Sequence, residues 1–300
     1  MSPLKKIGAF TAALTAAFAA AYGVGSAVAP VDGGSTRETA HASMADGDGH
    51  AEQGSAATHT PGGLQVSEGG YTLDLGTASL PAGARTTLRF VVRDAEGAPV
   101  TAYRTEHGKQ LHLIVASREL TAYRHLHPTR AADGTWSTPV ELPEAGGYRV
   151  FADFTPAAAR EGLTLGSDLA VTGSYAAHAL PAPANTATVD GYTVRLDGTL
   201  TPGRESDLTF SVSRAGRPVT TLQPYLGAYG HLVALRSGDL AYLHVHVHPQ
   251  EEAEGTAVSG PEVAFTATAP SPGTYRLFLD FKVGDRVHTA AFTATTGHGH

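Results

Sequence analysis

The sequence predicts an all-β fold: two tandem immunoglobulin-like β-sandwiches that follow an N-terminal hydrophobic helix and a disordered linker. Three observations carry this expectation. Apolar residues alternate in short runs bounded by Gly, Pro, Asp and Asn, as half-buried strands require. The charged fraction is 16%, well under the roughly 25% of an average domain, while 35 Gly and 18 Pro supply turns. Finally, four blocks of sequence recur in the same order in the two halves of the chain.

Gly70-Tyr71-Thr72 returns as Gly191-Tyr192-Thr193, and GAPVT from Gly97 to Thr101 returns as GRPVT from Gly216 to Thr220. LHLIVASRELTAYRHLH, from Leu111 to His127, aligns without a gap on GHLVALRSGDLAYLHVH, from Gly230 to His246. GGYRVFADF, ending at Phe154, matches GTYRLFLDF, ending at Phe281. A repeat of about 120 residues is too long for a solenoid unit and suits a whole domain. The chain therefore divides into a signal peptide or membrane anchor (1–29), a flexible linker (30–66), a first sandwich (67–178), a hinge (179–190), a second sandwich (191–296) and a tail (297–300).

At the N-terminus, Lys5 and Lys6 precede an uncharged run from Ile7 to Ala29. Its 23 residues exceed a secretory h-region of about 7 to 15 and satisfy a membrane span of about 20. Ala27-Val28-Ala29 offers a cleavage site, although Pro30 would follow the cut. Both readings place the rest of the chain outside the cytoplasm, either anchored in the cell membrane by residues 7–29 or secreted after cleavage. From Pro30 to Val66 the chain is rich in Gly, Ser, Thr, Ala and Asp, with His41, His50 and His59 scattered through it. With no apolar period and few large side chains, it reads as a tether.

The first copy is read as strands near Tyr71–Leu75, Thr86–Asp94, Leu111–Ala116, Ala122–His127, Trp136–Leu142, Tyr148–Phe154 and Asp168–Thr172. The second gives Tyr192–Leu196, Asp207–Ser213, His231–Arg236, Ala241–His248, Glu262–Thr268, Tyr275–Val283 and Arg286–Thr295. About seven strands in each is the immunoglobulin-like count. Trp136, Tyr148, Phe151, Phe154, Tyr275, Phe278 and Phe281 are read as core or inter-domain packing, and the matched Asp153 and Asp280 as turn formers.

Composition excludes much chemistry. The chain has no cysteine, and its methionines are Met1 and Met44. That rules out disulfides, zinc fingers, iron–sulfur clusters, thiol nucleophiles and sulfur-rich copper sites. A net charge of -7, with 21 Lys and Arg spread thinly, offers no nucleic-acid surface. Against these absences stand 15 histidines.

The gapless alignment equates His112 with His231, His125 with His244 and His127 with His246. On a strand, residues i and i+2 share a face, so His125 and His127 stand side by side about 6 to 7 Å apart. Leu111, Leu113 and Val115 share the core face, which sends His112 to the other, where a hairpin would bring it towards that pair. In the second copy His248 extends the column to His244, His246 and His248, with Leu243, Val245 and Val247 opposite. The candidate metal ligands are thus His112, His125 and His127, and in the second copy His231, His244, His246 and His248. His288 is a further candidate whose first-copy equivalent lies close to Thr164, and Glu106 and His107 lie just ahead of the first site, where the second copy has Tyr225 and Leu226. Neutral imidazoles without thiolate suit Cu(II), Zn(II) or Ni(II), and the Irving–Williams order favours copper. The competing reading is of solvent-facing polar residues on amphipathic strands.

HLIVASRELTAYRHLHP followed by GGYRVFADF, and YLGAYGHLVALRSGDLAYLHVHVHP followed by GTYRLFLDF, resemble the extracytoplasmic YtkA-like proteins of bacteria, particularly an actinobacterial secreted or membrane-anchored type. The resemblance covers most of residues 64 to 296 and departs at the extra Val-His step. It implies immunoglobulin-like or cupredoxin-like sandwiches and a role in metal homeostasis, and the histidines point to a copper or zinc ion as the cofactor. The alternative is a non-enzymatic structural or protein-interaction module at the cell surface, with a membrane or cell-surface protein partner and no metal. A cupin-like enzyme is disfavoured: His244-x-His246 followed by Glu251 begins that motif, but Pro270-Ser271-Pro272-Gly273 leads to Thr274 and Tyr275 rather than to a further histidine. No catalytic residues are assigned.

Overall fold

The structure, a computed structural model, describes residues 60–248 and 258–296. The hydrophobic N-terminal segment, the tether as far as His59, Glu251, and the tail with His298 and His300 lie outside the described residues. Among the described residues every regular element is a strand, and no helix is long and apolar enough to cross a membrane.

The first sandwich comprises β1 (Ser67–Glu68), β2 (Tyr71–Asp74), β3 (Ser79–Pro81), β4 (Arg85–Arg93), β5 (Leu111–Ser117), β6 (Tyr123–Leu126), β7 (Thr129–Arg130), β8 (Trp136–Glu141), β9 (Gly146–Phe154) and β10 (Leu163–Thr172). Its sheets run β1-β2-β4-β8-β7 and β3-β10-β9-β5-β6, with β3 parallel to β10. The second contains β11 (Thr186–Val189), β12 (Tyr192–Asp197), β13 (Glu205–Arg214), β14 (Arg217–Pro218), β15 (Gly230–Arg236), β16 (His244–Val247), β17 (Glu262–Thr268), β18 (Thr274–Val283) and β19 (Arg286–Thr295). Here the sheets run β11-β12-β13-β17-β16 and β15-β18-β19. These are two immunoglobulin-like sandwiches in tandem.

Alternation builds each core. In β4, Leu88, Phe90 and Val92 are buried while Arg85, Thr87 and Arg89 face solvent. In the second sandwich Phe210 meets Phe265 and Phe292 edge-on, with ring centroids 5.9 and 5.4 Å away. Burying such a side chain stabilises by about 1.5–3 kcal/mol.

The copies diverge at one place. Tyr123 pairs with Ala116, and the equivalent Tyr242 bridges Leu235, so the hairpins begin in the same register. In the first copy the strand continues along β5, with His125 opposite Ile114. In the second it leaves after Leu243 and β16 joins β17 on the opposite sheet. One sequence block thus becomes the extra edge strand of a variable-type sandwich in the first copy and a constant-type strand in the second. The second copy carries its extra Val-His step at this place, and Val245 and Val247, in alternation, both pack against the second core.

A third apolar cluster joins the halves. Ile114, Tyr123 and Phe151 from the first pack with Val233, Leu235 and Phe278 from the second. Tyr123 stacks on Phe278 at 4.0 Å with planes 7° apart, and the equivalent Tyr242 lies 5.8 Å from Phe151. Equivalent surfaces therefore meet in an isologous, pseudo-two-fold fashion.

Two predicted boundaries change. The tether was expected to reach Val66, yet its end is built into the junction: Tyr242 N–H donates to the Gly62 carbonyl at 2.9 Å and Arg149 Nε to the Gly63 carbonyl at 2.7 Å. Gly63 has φ +75°, and a Cβ there would stand 2.5 Å from the Phe151 ring, so only glycine fits. The hinge likewise contains β11, an edge strand on β12, because Thr186–Val189 is an alternating β-branched run.

Candidate metal centre

The site begins with the pleat of β5. Leu111, Leu113 and Val115 enter the first core, so His112, Ile114 and Ala116 face the second sandwich. Because β6 pairs Ile114 with His125, that histidine lies on the same face. Ahead of β5, Glu106 and Lys109 exchange backbone hydrogen bonds of 2.8 and 2.9 Å around His107 (φ 50°) and Gly108 (φ 72°). Tyr225 and Ala228 do the same around Leu226 (φ 57°) and Gly227 (φ 78°). Two consecutive positive φ values make each a tight primed turn.

That turn orients the first histidine of each copy. His112 Nε2 lies 3.4 Å from the Glu106 carbonyl, and His231 Nε2 lies 2.7 Å from the equivalent Tyr225 carbonyl. An N–H there makes Nε2 the donor and leaves the lone pair on Nδ1. His112 Nδ1 then faces His125 Nε2 at 3.1 Å, while His125 Nδ1 is 2.8 Å from Asp280 Oδ2. With both outer nitrogens donating, two inner lone pairs face each other, an arrangement that needs a proton or a cation between them.

His127 completes the group. One ligand atom from each of His112, His125 and His127 lies within 4.8 Å of the others. Their ring centroids are 4.9 to 5.4 Å apart, and His127 Nε2 is buried with no hydrogen-bond partner. Burial, reinforced by neighbouring imidazoles, pushes both His112 and His127 down to about 3. Burial also takes His231 down to about 4, against the opposing pull of the Tyr225 carbonyl. Neutral imidazoles are the form a metal requires.

Among the described residues the second copy assembles no equivalent group. β16 carries His244 and His246, with His248 just after it, to the sheet opposite β15, which bears His231, and among the described residues His112, His125 and His127 are the one set of three in ligand reach. His248 Nε2 instead lies 2.9 Å from Thr266 Oγ1 and 3.4 Å from Asp207 Oδ1. His231 joins the first group, its ring 5.6 Å from His107, 6.2 Å from His125 and 6.3 Å from His112. His107, His112, His125 and His231 line a cavity of about 680 Å³ at the junction, with Asp153 and Glu106.

His288 has a packing role. It is 5% exposed, bonds Asp190 at 2.8 Å and rests against Tyr192 and Phe281. The ladders match His288 to Leu163, and Thr289 to Thr164. Those two threonines donate to the matched aspartates, Thr164 to Asp153 at 3.1 Å and Thr289 to Asp280 at 2.5 Å.

The expectation that Asp153 and Asp280 form turns is corrected. Both lie within paired strands and face the junction, where burial raises Asp153 to about 6 and Asp280 anchors His125. Their matched places in GGYRVFADF and GTYRLFLDF were the signal available in the sequence, and the ladders set them opposite His112 and His231.

Among solved structures, the chain matches the Escherichia coli adhesin FdeC at 19% identity over 77% of this chain and 65% of that one, with a TM-score of 0.25. It matches invasin, a bacterial integrin-binding protein, at 14% identity over 78% and 41%, with a TM-score of 0.23. Domains 4 and 5 of the S-layer protein SbsC match at 13% identity over 78% and 100%, also at 0.23. The chain thus spans less than two thirds of the length of the first two. No curated protein sequence matches it. At the level of family, the match falls on residues 65–164 and 187–298, covering both sandwiches, and it is not to the YtkA-like proteins that the histidine blocks resemble. The chain belongs to the family described as a domain of unknown function, DUF8832.

Proposed function

We propose that this chain is a non-enzymatic extracytoplasmic protein that holds a divalent transition-metal ion, copper or zinc, at His112, His125 and His127. The observation that carries the reading is the convergence of one ligand atom from each of three imidazoles within 4.8 Å, in a group where His127 Nε2 is buried without a partner. Tetrahedral nitrogens at about 2.0–2.1 Å from an ion lie about 3.3 Å apart. The 3.1 Å between His112 Nδ1 and His125 Nε2 is close to that spacing. The donor set is all nitrogen in a chain without cysteine, which suits Cu(II) or Zn(II). The lysines and uncharged run at the N-terminus support an extracytoplasmic location, anchored or secreted.

A second reading, a cell-surface interaction module without metal, is favoured by the His125–Asp280 contact. A proton on His125 balanced by Asp280 would satisfy the same nitrogens as an inter-sandwich ion pair. Elemental analysis and Cu(II) or Zn(II) titration of tag-free protein separate the two. Metal uptake abolished by joint substitution His125→Ala and His127→Ala supports the first; uptake unchanged by that substitution rejects the site, and no uptake supports the second.

A further inference from the structure

We infer that the metal centre is shared between the two sandwiches, with His231 supplying the fourth imidazole and Asp280 fixing His125 from behind, so that one ion per chain clamps the junction. This rests on the metal reading above and deepens it: the ion becomes a link between domains.

His231 is prepared for this in the same way as His112. Each is held through Nε2 by the carbonyl of a matched turn residue, which leaves Nδ1 as the ligand nitrogen. In His112 that nitrogen already points at His125 Nε2. Imidazoles bound tetrahedrally at about 2.0–2.1 Å place their ring centroids about 5 Å apart. The first three rings stand at 4.9 to 5.4 Å, and His231 lies 6.2 and 6.3 Å from His125 and His112. An inward shift of roughly 1 Å brings His231 to that spacing from His112 and His125.

The second sandwich contributes its residues as a pair. His231 and Asp280 are cross-strand partners on β15 and β18, facing the matched pair His112 and Asp153 on β5 and β9. The pseudo-two-fold junction therefore sets imidazole against imidazole across the boundary. Departure of β16 to the opposite sheet frees this face of the second copy and directs His231 to the first copy's cluster. A carboxylate behind a ligating histidine fixes its tautomer and raises its basicity, which is the role the Asp280 contact gives it. His107, on an exposed turn, is the rival fourth ligand and serves as the control.

The test is Co(II) titration of the full-length, tag-free chain, read by visible absorption and by metal content after desalting. One Co(II) per chain with the intense bands of a four-coordinate ion is expected. His231→Gln should keep that stoichiometry, weaken affinity by at least the roughly 10- to 100-fold lost when a group behind a ligand is removed and reduce the bands, whereas His107→Gln should change neither. X-ray absorption of the Zn(II)-loaded wild type counts imidazoles without any substitution, and four are expected. Three imidazoles with solvent, two ions per chain, or a His231→Gln protein with wild-type affinity and spectrum would overturn the shared site and leave the three-histidine reading standing. A wild type that takes up no Co(II) or Zn(II) removes both.

Discussion

His125 and Asp280 lie 155 positions apart in the chain, yet Nδ1 and Oδ2 are 2.8 Å apart, with the side chains only 7% and 3% exposed. The contact crosses from one sandwich to the other and sits directly behind the histidine cluster. Asp280→Asn keeps the shape and removes the charge. Metal affinity should fall by about 10- to 100-fold with unchanged stoichiometry, and metal-free stability should fall by about 1–3 kcal/mol. Competition titration and thermal unfolding read the two effects separately; unchanged affinity would remove Asp280 from the site.

The metal-free protein should be acid-sensitive. His112 and His127 are held near 3 and His231 near 4, against about 6.5 for an unfolded histidine. The unfolded chain therefore binds more protons between those values. This contribution to stability is complete above about pH 6.5 and is lost as the pH falls, at up to about 1.4 kcal/mol per pH unit for each histidine. Asp153, raised to about 6, acts oppositely, losing its contribution as the pH rises between about 4 and 6. Three groups outweigh one, so the urea midpoint in chelator should rise between pH 4.5 and 7, assay limits chosen to span about the unfolded histidine value. A flat or falling midpoint would contradict this account.

Tyr123 should separate stacking from hydrogen bonding at the junction. Its ring stacks on Phe278 at 4.0 Å, while its hydroxyl is buried without a partner. Tyr123→Phe should stay within about 1 kcal/mol of the wild type or exceed it, because an unmet donor is removed. Tyr123→Ala loses the stack and leaves a cavity, at a cost of about 3–5 kcal/mol. Equal losses in both variants, measured by urea unfolding, would show that the hydroxyl has a partner.

Gly166 tests the docked segment. A Cβ there would stand 2.0 Å from the Gly63 carbonyl oxygen and 2.7 Å from Arg149 Nε. Gly166→Ala should cost about 1–3 kcal/mol through overpacking and expose the chain around Gly62–Gln65 to protease. Wild-type stability with an intact proteolysis pattern would mean that this segment is not held as described.

Periodicity alone was enough to locate the principal strands, to equate the two copies and to send His112 away from Leu111, Leu113 and Val115, because strand side chains alternate whatever lies beyond them. The short strands β1, β3, β7 and β14 carry too few residues for a period to register. Tertiary structure decided the rest of the site. The matched His244 and His125 lie on strands of opposite sheets, β16 joining β17 where Val245 and Val247 pack against the second core. Asp280 resembles a turn residue in sequence and becomes the anchor of His125 only when the second sandwich docks. Local alternation orients a side chain relative to its own sheet; which sheet edge a strand joins, and which face then covers it, depends on apolar surface supplied from far along the chain.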